Sequence, residues 1–237
     1  MTTALGSRAA FNSQISNVRY LKRWKVPERF ENVNIEANER RLAMLERQPI
    51  YPPGVRPMKV PKELCHMKGP ETVNNTLLYK QYGVMTLCGG WLRTGVIEMM
   101  RLTLNKKLDL TTSFAAWRID PPYKPLTKKG IGKRMGKGKG AIDQYVVPVK
   151  AGRILFEVGG TIDFLEIEPV LQEICYKLSV DAIPVSQQIL ENIEAHYEKL
   201  ERRNINPFSL KQVIDHNMHG SDKWVTKIEK KYYGDYI

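Results

Sequence analysis

The residues best suited to chemistry are the alternating lysines and glycines of Arg134-Met135-Gly136-Lys137-Gly138-Lys139-Gly140. They lie at the centre of a longer segment, Asp120 to Asp143, with no acidic residue between its two ends. Lys124, Lys128, Lys129, Lys133, Arg134, Lys137 and Lys139 all fall inside it. Glycine at every second position makes a costly helix or strand interior, and the run has almost nothing apolar to bury. What such a segment offers is close backbone approach and a high density of ammonium groups, which suits phosphate.

Other chemistries fit the residues less well. Gly136 to Ala141 matches G-x-G-x-x-A, but a dinucleotide site needs a strand before the glycines and a helix after them. Here a loop-like stretch precedes and Tyr145-Val146-Val147 follows as strand. No Ser or Thr follows Lys137 or Lys139, so a Walker loop is absent as well. His216-x-x-His219 and Cys65-His66 lack the partners of a four-ligand metal site. Glu98, Glu157, Glu166 and Glu168 are scattered, and helix ends or solvated faces account for them. The sequence therefore identifies no catalytic residue, no metal site and no cofactor. The remaining enzymatic reading is an RNA-processing protein that captures substrate with the basic loop.

Composition points the same way. Lys plus Arg number 37 against 25 Asp plus Glu, a net charge of +12, which favours a polyanionic partner such as nucleic acid. No apolar run reaches the roughly 20 residues of a bilayer span. Cys65, Cys88 and Cys175 are widely spaced and read as reduced thiols. Residues 1–25 form part of an acid-free stretch, Met1 to Pro27, with Arg8, Arg19, Lys22, Arg23 and Lys25 among Ser, Thr and Ala. That is the composition of a mitochondrial transit peptide, or of a basic arm.

The elements that must hold the loop follow in order. Residues 26–76 read as a proline-rich extension, with a short helix expected over Asn38 to Gln48. A compact domain spans 77–186. Strands are predicted over Tyr82 to Leu87, Phe114 to Ile119, Asp143 to Val149, Arg153 to Val158 and Ala182 to Val185. Helices are predicted over Gly95 to Leu108, with Thr94 as N-cap, and over Glu166 to Leu178. Pro148 should sit at a sheet edge or strand end. The expected class is α+β, with a largely antiparallel sheet and two packed helices. Residues 187–237 form a helical extension whose tail interleaves Lys227, Lys230 and Lys231 with Trp224, Tyr232, Tyr233 and Tyr236. Such a tail can stack on RNA or pack on a neighbouring protein.

Three stretches in sequence order carry a family resemblance: Ala116-Trp117-Arg118-Ile119, the Arg134 to Gly140 run, and Lys150-Ala151-Gly152-Arg153-Ile154-Leu155-Phe156-Glu157-Val158-Gly159-Gly160. Together they resemble the L-sixteen family of large-subunit ribosomal proteins, over roughly Tyr82 to Val185. The resemblance implies a non-enzymatic ribosome component with an α/β-hammerhead-like core, bound to large-subunit rRNA. It implies a loop pointing toward the aminoacyl-tRNA site, with A-site tRNA a passing partner. Carried over by position, Lys133, Arg134, Met135, Gly136, Lys137, Gly138 and Lys139 are RNA-contacting candidates. Arg118 and Arg153 lie in the flanking matches; Lys124, Lys128 and Lys129 join the set from the basic segment itself. The added termini and acid-free start suit a mitochondrial member, with mitochondrial rRNA and neighbouring mitochondrial ribosomal proteins as partners in the matrix.

Overall fold

The computed structural model describes residues 39–56, 66–136, 138–206 and 208–234. The basic start, Cys65, Lys137 and Tyr236 lie outside them.

Apolar runs bounded by glycine and proline form the strands, and runs with helical periodicity form the helices. In chain order they are β1 (Tyr82–Thr86), β2 (Gly90–Arg93), α1 (Thr94–Lys107), β3 (Ser113–Trp117), β4 (Lys124–Lys128), β5 (Ala141–Val149), β6 (Ile154–Gly160), α2 (Phe164–Lys177) and β7 (Ala182–Ser186). Beyond them come α3 (Gln187–Arg203), α4 (Leu210–Asp215), a 3₁₀ turn (Met218–Lys223) and α5 (Lys227–Tyr232). The class is α+β. The strands divide between two antiparallel sheets, one ordered β3-β6-β1-β7 and the other β2-β5-β4.

β6 is the hub of the larger sheet. Its residues from Ile154 to Gly159 are all buried, as expected for a strand with β1 on one side, β3 on the other and helices over it. α1 presents Ile97, Met100 and Leu104 to the core, and α2 presents Ile167, Leu171, Ile174 and Cys175. These side chains join Leu155, Phe156 and Val158 in one cluster. Burial pushes the Cys175 thiol up to about 11, so it packs as a small apolar group.

Several expectations change. The segment around Asn38 to Gln48 forms no helix over its described residues, 39–48. It runs as a strap whose backbone is bonded to the domain. Ala115 N–H donates to the Arg40 carbonyl at 3.0 Å, and the Asn105 side chain bonds both backbone groups of Leu42. Leu42 itself, 2% exposed, is part of the core. A helix would have withdrawn those backbone groups from their partners. Thr94 is the first residue of α1 rather than its cap; Arg93 occupies the cap position, with no side-chain bond. Glu98 lies beyond the first turn and pairs with Arg101. β2 is a strand beyond those predicted, and β4 is a strand within the stretch read as loop. Pro148 meets its expectation: β4 pairs only as far as Val146, so beyond it, among the described residues, β5 pairs with β2 alone.

Candidate nucleic-acid interface

The basic segment is a β-hairpin. Lys124 pairs with Val146, Pro125 with Tyr145 and Leu126 with Gln144; after a bulge, Thr127 pairs with Ile142 and Lys128 with Ala141. Residues 129–140 are the loop between these strands. The ladder therefore delivers the glycine–lysine run to the tip of a sheet, away from the core.

The hairpin closes at Gly140, where a Cβ would sit 2.3 Å from the Lys128 carbonyl oxygen. Only glycine lets the two strands approach there. Farther out, Gly136 and Gly138 take φ of +88° and +81°, the left-handed region, with open space around each α-carbon. These positions turn the chain without packing against the protein.

The described side chains of the loop are presented to solvent. Lys128, Lys129, Lys133, Arg134 and Lys139 are all exposed. Met135 is 94% exposed and Ile131 is 104% exposed, so two apolar side chains stand among the cations at the tip. Ile131 escaped the sequence reading; its only signal is the flanking Gly130 and Gly132. An exposed set of this kind can neutralise phosphates with its cations and lay apolar surface against bases or sugars.

Three of the candidates occupy different surroundings. Lys124 is 6% exposed, with its Nζ 5.0 Å from the centroid of the Trp91 ring. Trp91 lies in β2, on the far side of β5, so this cation–π contact ties the hairpin base across the three-stranded sheet. Arg118 places Nε 2.8 Å from Oε1 of Glu157, whose side chain is fully buried. The Glu157 carboxylate also accepts the backbone N–H groups of Leu78 and Tyr79 at 3.0 and 2.9 Å. Burial raises its pKa, opposed by those two N–H donors and by Arg118. Arg153 is held by Glu71 at 3.3 Å and Asp120 at 3.2 Å, and donates to the Arg118 carbonyl. These two arginines cross-link the segment before β1, at Glu71, with β6 and the chain leaving β3. The structure thus brings Lys128, Lys129, Lys133, Arg134, Met135, Gly136, Gly138 and Lys139 to one exposed end of the hairpin, while Lys124, Arg118 and Arg153 sit at and below its base.

Groups that could serve other chemistry are engaged elsewhere. Glu98 is bonded to Arg101, and Glu157 as just described. Among the described residues, no group of three or more His, Cys, Asp or Glu side chains is placed to hold a metal ion. No helix among them is long and apolar enough to cross a membrane.

Comparison with known proteins places the same span in a family. The model described as ribosomal protein L16p/L10e matches residues 55–184, which include both faces of the hairpin and its loop. The large ribosomal subunit protein uL16 of Oenococcus oeni is 32% identical over 133 residues, covering 56% of this chain and 87% of that protein. The match to the family model ends inside β7, before α3 begins.

Proposed function

This chain belongs to the L16p/L10e family of ribosomal proteins, structural and non-catalytic components of the large subunit, and we propose that it serves in mitochondrial translation with its β4–β5 loop on rRNA near the aminoacyl-tRNA site. The observation that carries this reading is the hairpin. It projects five described cations and two apolar side chains on a glycine-rich tip that the fold does not otherwise use.

In this reading the domain is a rigid base and the loop is the reaching element. The cations take phosphates, and left-handed glycines let the backbone follow a crowded RNA surface. Met135 and Ile131 are suited to sugars or bases rather than phosphates. Lys124, Arg118 and Arg153 act indirectly, by holding the hairpin base in place. Support for mitochondria comes from the acid-free stretch Met1 to Pro27 and from sequence on both sides of the family match. In the corresponding division of the chain, 1–25 is a targeting segment, 26–76 an extension, 77–186 the rRNA-binding domain and 187–237 a helical extension.

The test is localisation and sedimentation together. A fluorescent fusion of the full chain should enter mitochondria and lose import when residues 1–25 are deleted. The untagged protein should sediment with the large subunit. Unchanged import without residues 1–25 would remove the targeting assignment, and a chain found only in a free pool would remove the ribosomal one.

A further inference from the structure

The helical extension departs from the rest of the chain in charge. Residues 187–237 contain eight basic and eight acidic residues, so the entire +12 excess resides in residues 1–186. A surface built for polyanion contact would carry its share of that excess.

α3 carries two parallel ridges. Leu190, Ile193, Tyr197 and Leu200 recur at spacings of three and four residues, forming an apolar stripe along one face. Glu191, Glu194, Glu198 and Glu201 repeat the same spacing one position later, forming an acidic ridge beside it. No residue of α3 is buried; Tyr197 is 48% exposed and Leu200 50% exposed. The inner part of the stripe, with Glu194 and Glu198, lines a groove of about 440 Å³ whose other wall is Pro70, Ala151 and Gly152. One ridge carboxylate, Glu198, is bridged to Arg202 at 3.3 Å, but both side chains are largely exposed, so that pair holds the ridge charge weakly.

We infer that this face of α3 is a protein-docking site, and that its occupant is a segment of a neighbouring protein with apolar anchors flanked by Lys or Arg. The inference rests on the ribosomal reading and names the partner chemistry of the extension. A phosphate backbone would meet four carboxylates beside the stripe and be repelled. A second copy of this chain would bring the same acidic ridge to the contact. A basic amphipathic segment satisfies both ridges at once: its anchors cover Tyr197 and Leu200, and its cations meet Glu194 and Glu201.

The experiment places a benzophenone amino acid at Leu200, and separately at Met135, in the full-length chain assembled into large subunits. Irradiation from position 200 should give an adduct with one protein, at a segment where apolar residues are flanked by Lys or Arg. The pair Glu194→Lys and Glu201→Lys, both at exposed positions, should lower that yield about tenfold by placing like charges across the contact, while the Met135 adduct with rRNA is unchanged. An adduct at position 200 with rRNA, with this chain or with a second copy overturns the inference, as does a yield indifferent to the charge reversal, or no adduct at all. Loss of the Met135 adduct with rRNA counts instead against the RNA-contacting loop, so the two readings fail separately.

Discussion

The exposed cations of the β4–β5 loop set a measurable salt dependence. Lys128, Lys129, Lys133, Arg134 and Lys139 are exposed, whereas Lys124 is buried against Trp91 and Arg118 and Arg153 are held by carboxylates. If all five exposed cations meet phosphates, log affinity should fall with log salt at a slope of about −3.5 to −4.5, at roughly 0.7–0.9 per contact. Between about 50 and 200 mM salt a slope near −4.5 corresponds to a loss of roughly 500-fold. The double variant Lys129→Ala, Lys139→Ala removes two contacts, so the slope should flatten by about 1.4–1.8 and the loss over that interval shrink to roughly 40-fold. Lys211→Ala, in the extension, should leave the slope unchanged. The assay is filter or fluorescence binding of the full chain to a large-subunit rRNA fragment across a salt series. A slope insensitive to the loop variant, or one that flattens on changing Lys211, would refute the assignment of phosphate contacts to the loop.

Other consequences follow from particular contacts. Gly140→Ala should weaken RNA binding by forcing apart the strand ends where the loop begins, since its Cβ would fall 2.3 Å from the Lys128 carbonyl oxygen, while the far-ultraviolet circular dichroism of the core is retained. Leu42→Ala should cost about 2–5 kcal/mol of unfolding free energy, as expected for a buried core leucine; Met44→Ala, at a position 59% exposed, should cost far less, and equal effects in chemical denaturation would show that the strap is not part of the core. Lys107 and Lys177 lower the Glu173 carboxyl to about 2. Because that value lies below the ordinary 4.5, the contribution of Glu173 is fully present above pH 4.5 and is lost as pH falls toward 2. Glu173→Gln should therefore lower the Tm at pH 7, with the difference shrinking in acid and in high salt; a difference that grows in acid would contradict the pairing.

Periodicity made much of the scaffold legible. The apolar spacing of Ile97, Met100 and Leu104 and that of Ile167, Leu171 and Ile174 marked α1 and α2, and Ile154, Leu155, Phe156 and Val158, ahead of Gly159-Gly160, marked β6 as a strand. β4 was hidden because Lys124–Lys128 is a polar edge strand containing proline, specified by its partner β5 rather than by its own composition. Its discovery turns a long basic loop into a hairpin with a defined base. The strap departs from the expected helix for a similar reason: it is shaped by hydrogen bonds to Asn105 and Ala115, residues more than sixty positions away.

The charges divide along the same line. The exposed loop cations were legible because nothing acidic lies near them in sequence. Arg118 and Arg153 carry the same visible charge, but their carboxylate partners include Glu157 and Glu71, which only the fold brings close. A sequence motif identifies an arginine without showing whether it is already paired. The opposite case is α3, whose acidic ridge is plain in the sequence but gains a docking geometry only when the helix is seen to stand beside the Ala151–Gly152 turn.

The proposed function requires the loop tip of this large-subunit protein to lie against RNA. Its most direct test is radical cleavage from iron–EDTA tethered through Met135→Cys in assembled large subunits, with the untethered subunit as control. Cuts should be confined to one neighbourhood of the rRNA and, when aminoacyl-tRNA is bound, further cuts should appear near its acceptor end. Incorporation of the tethered chain with no cleavage of rRNA would contradict that placement.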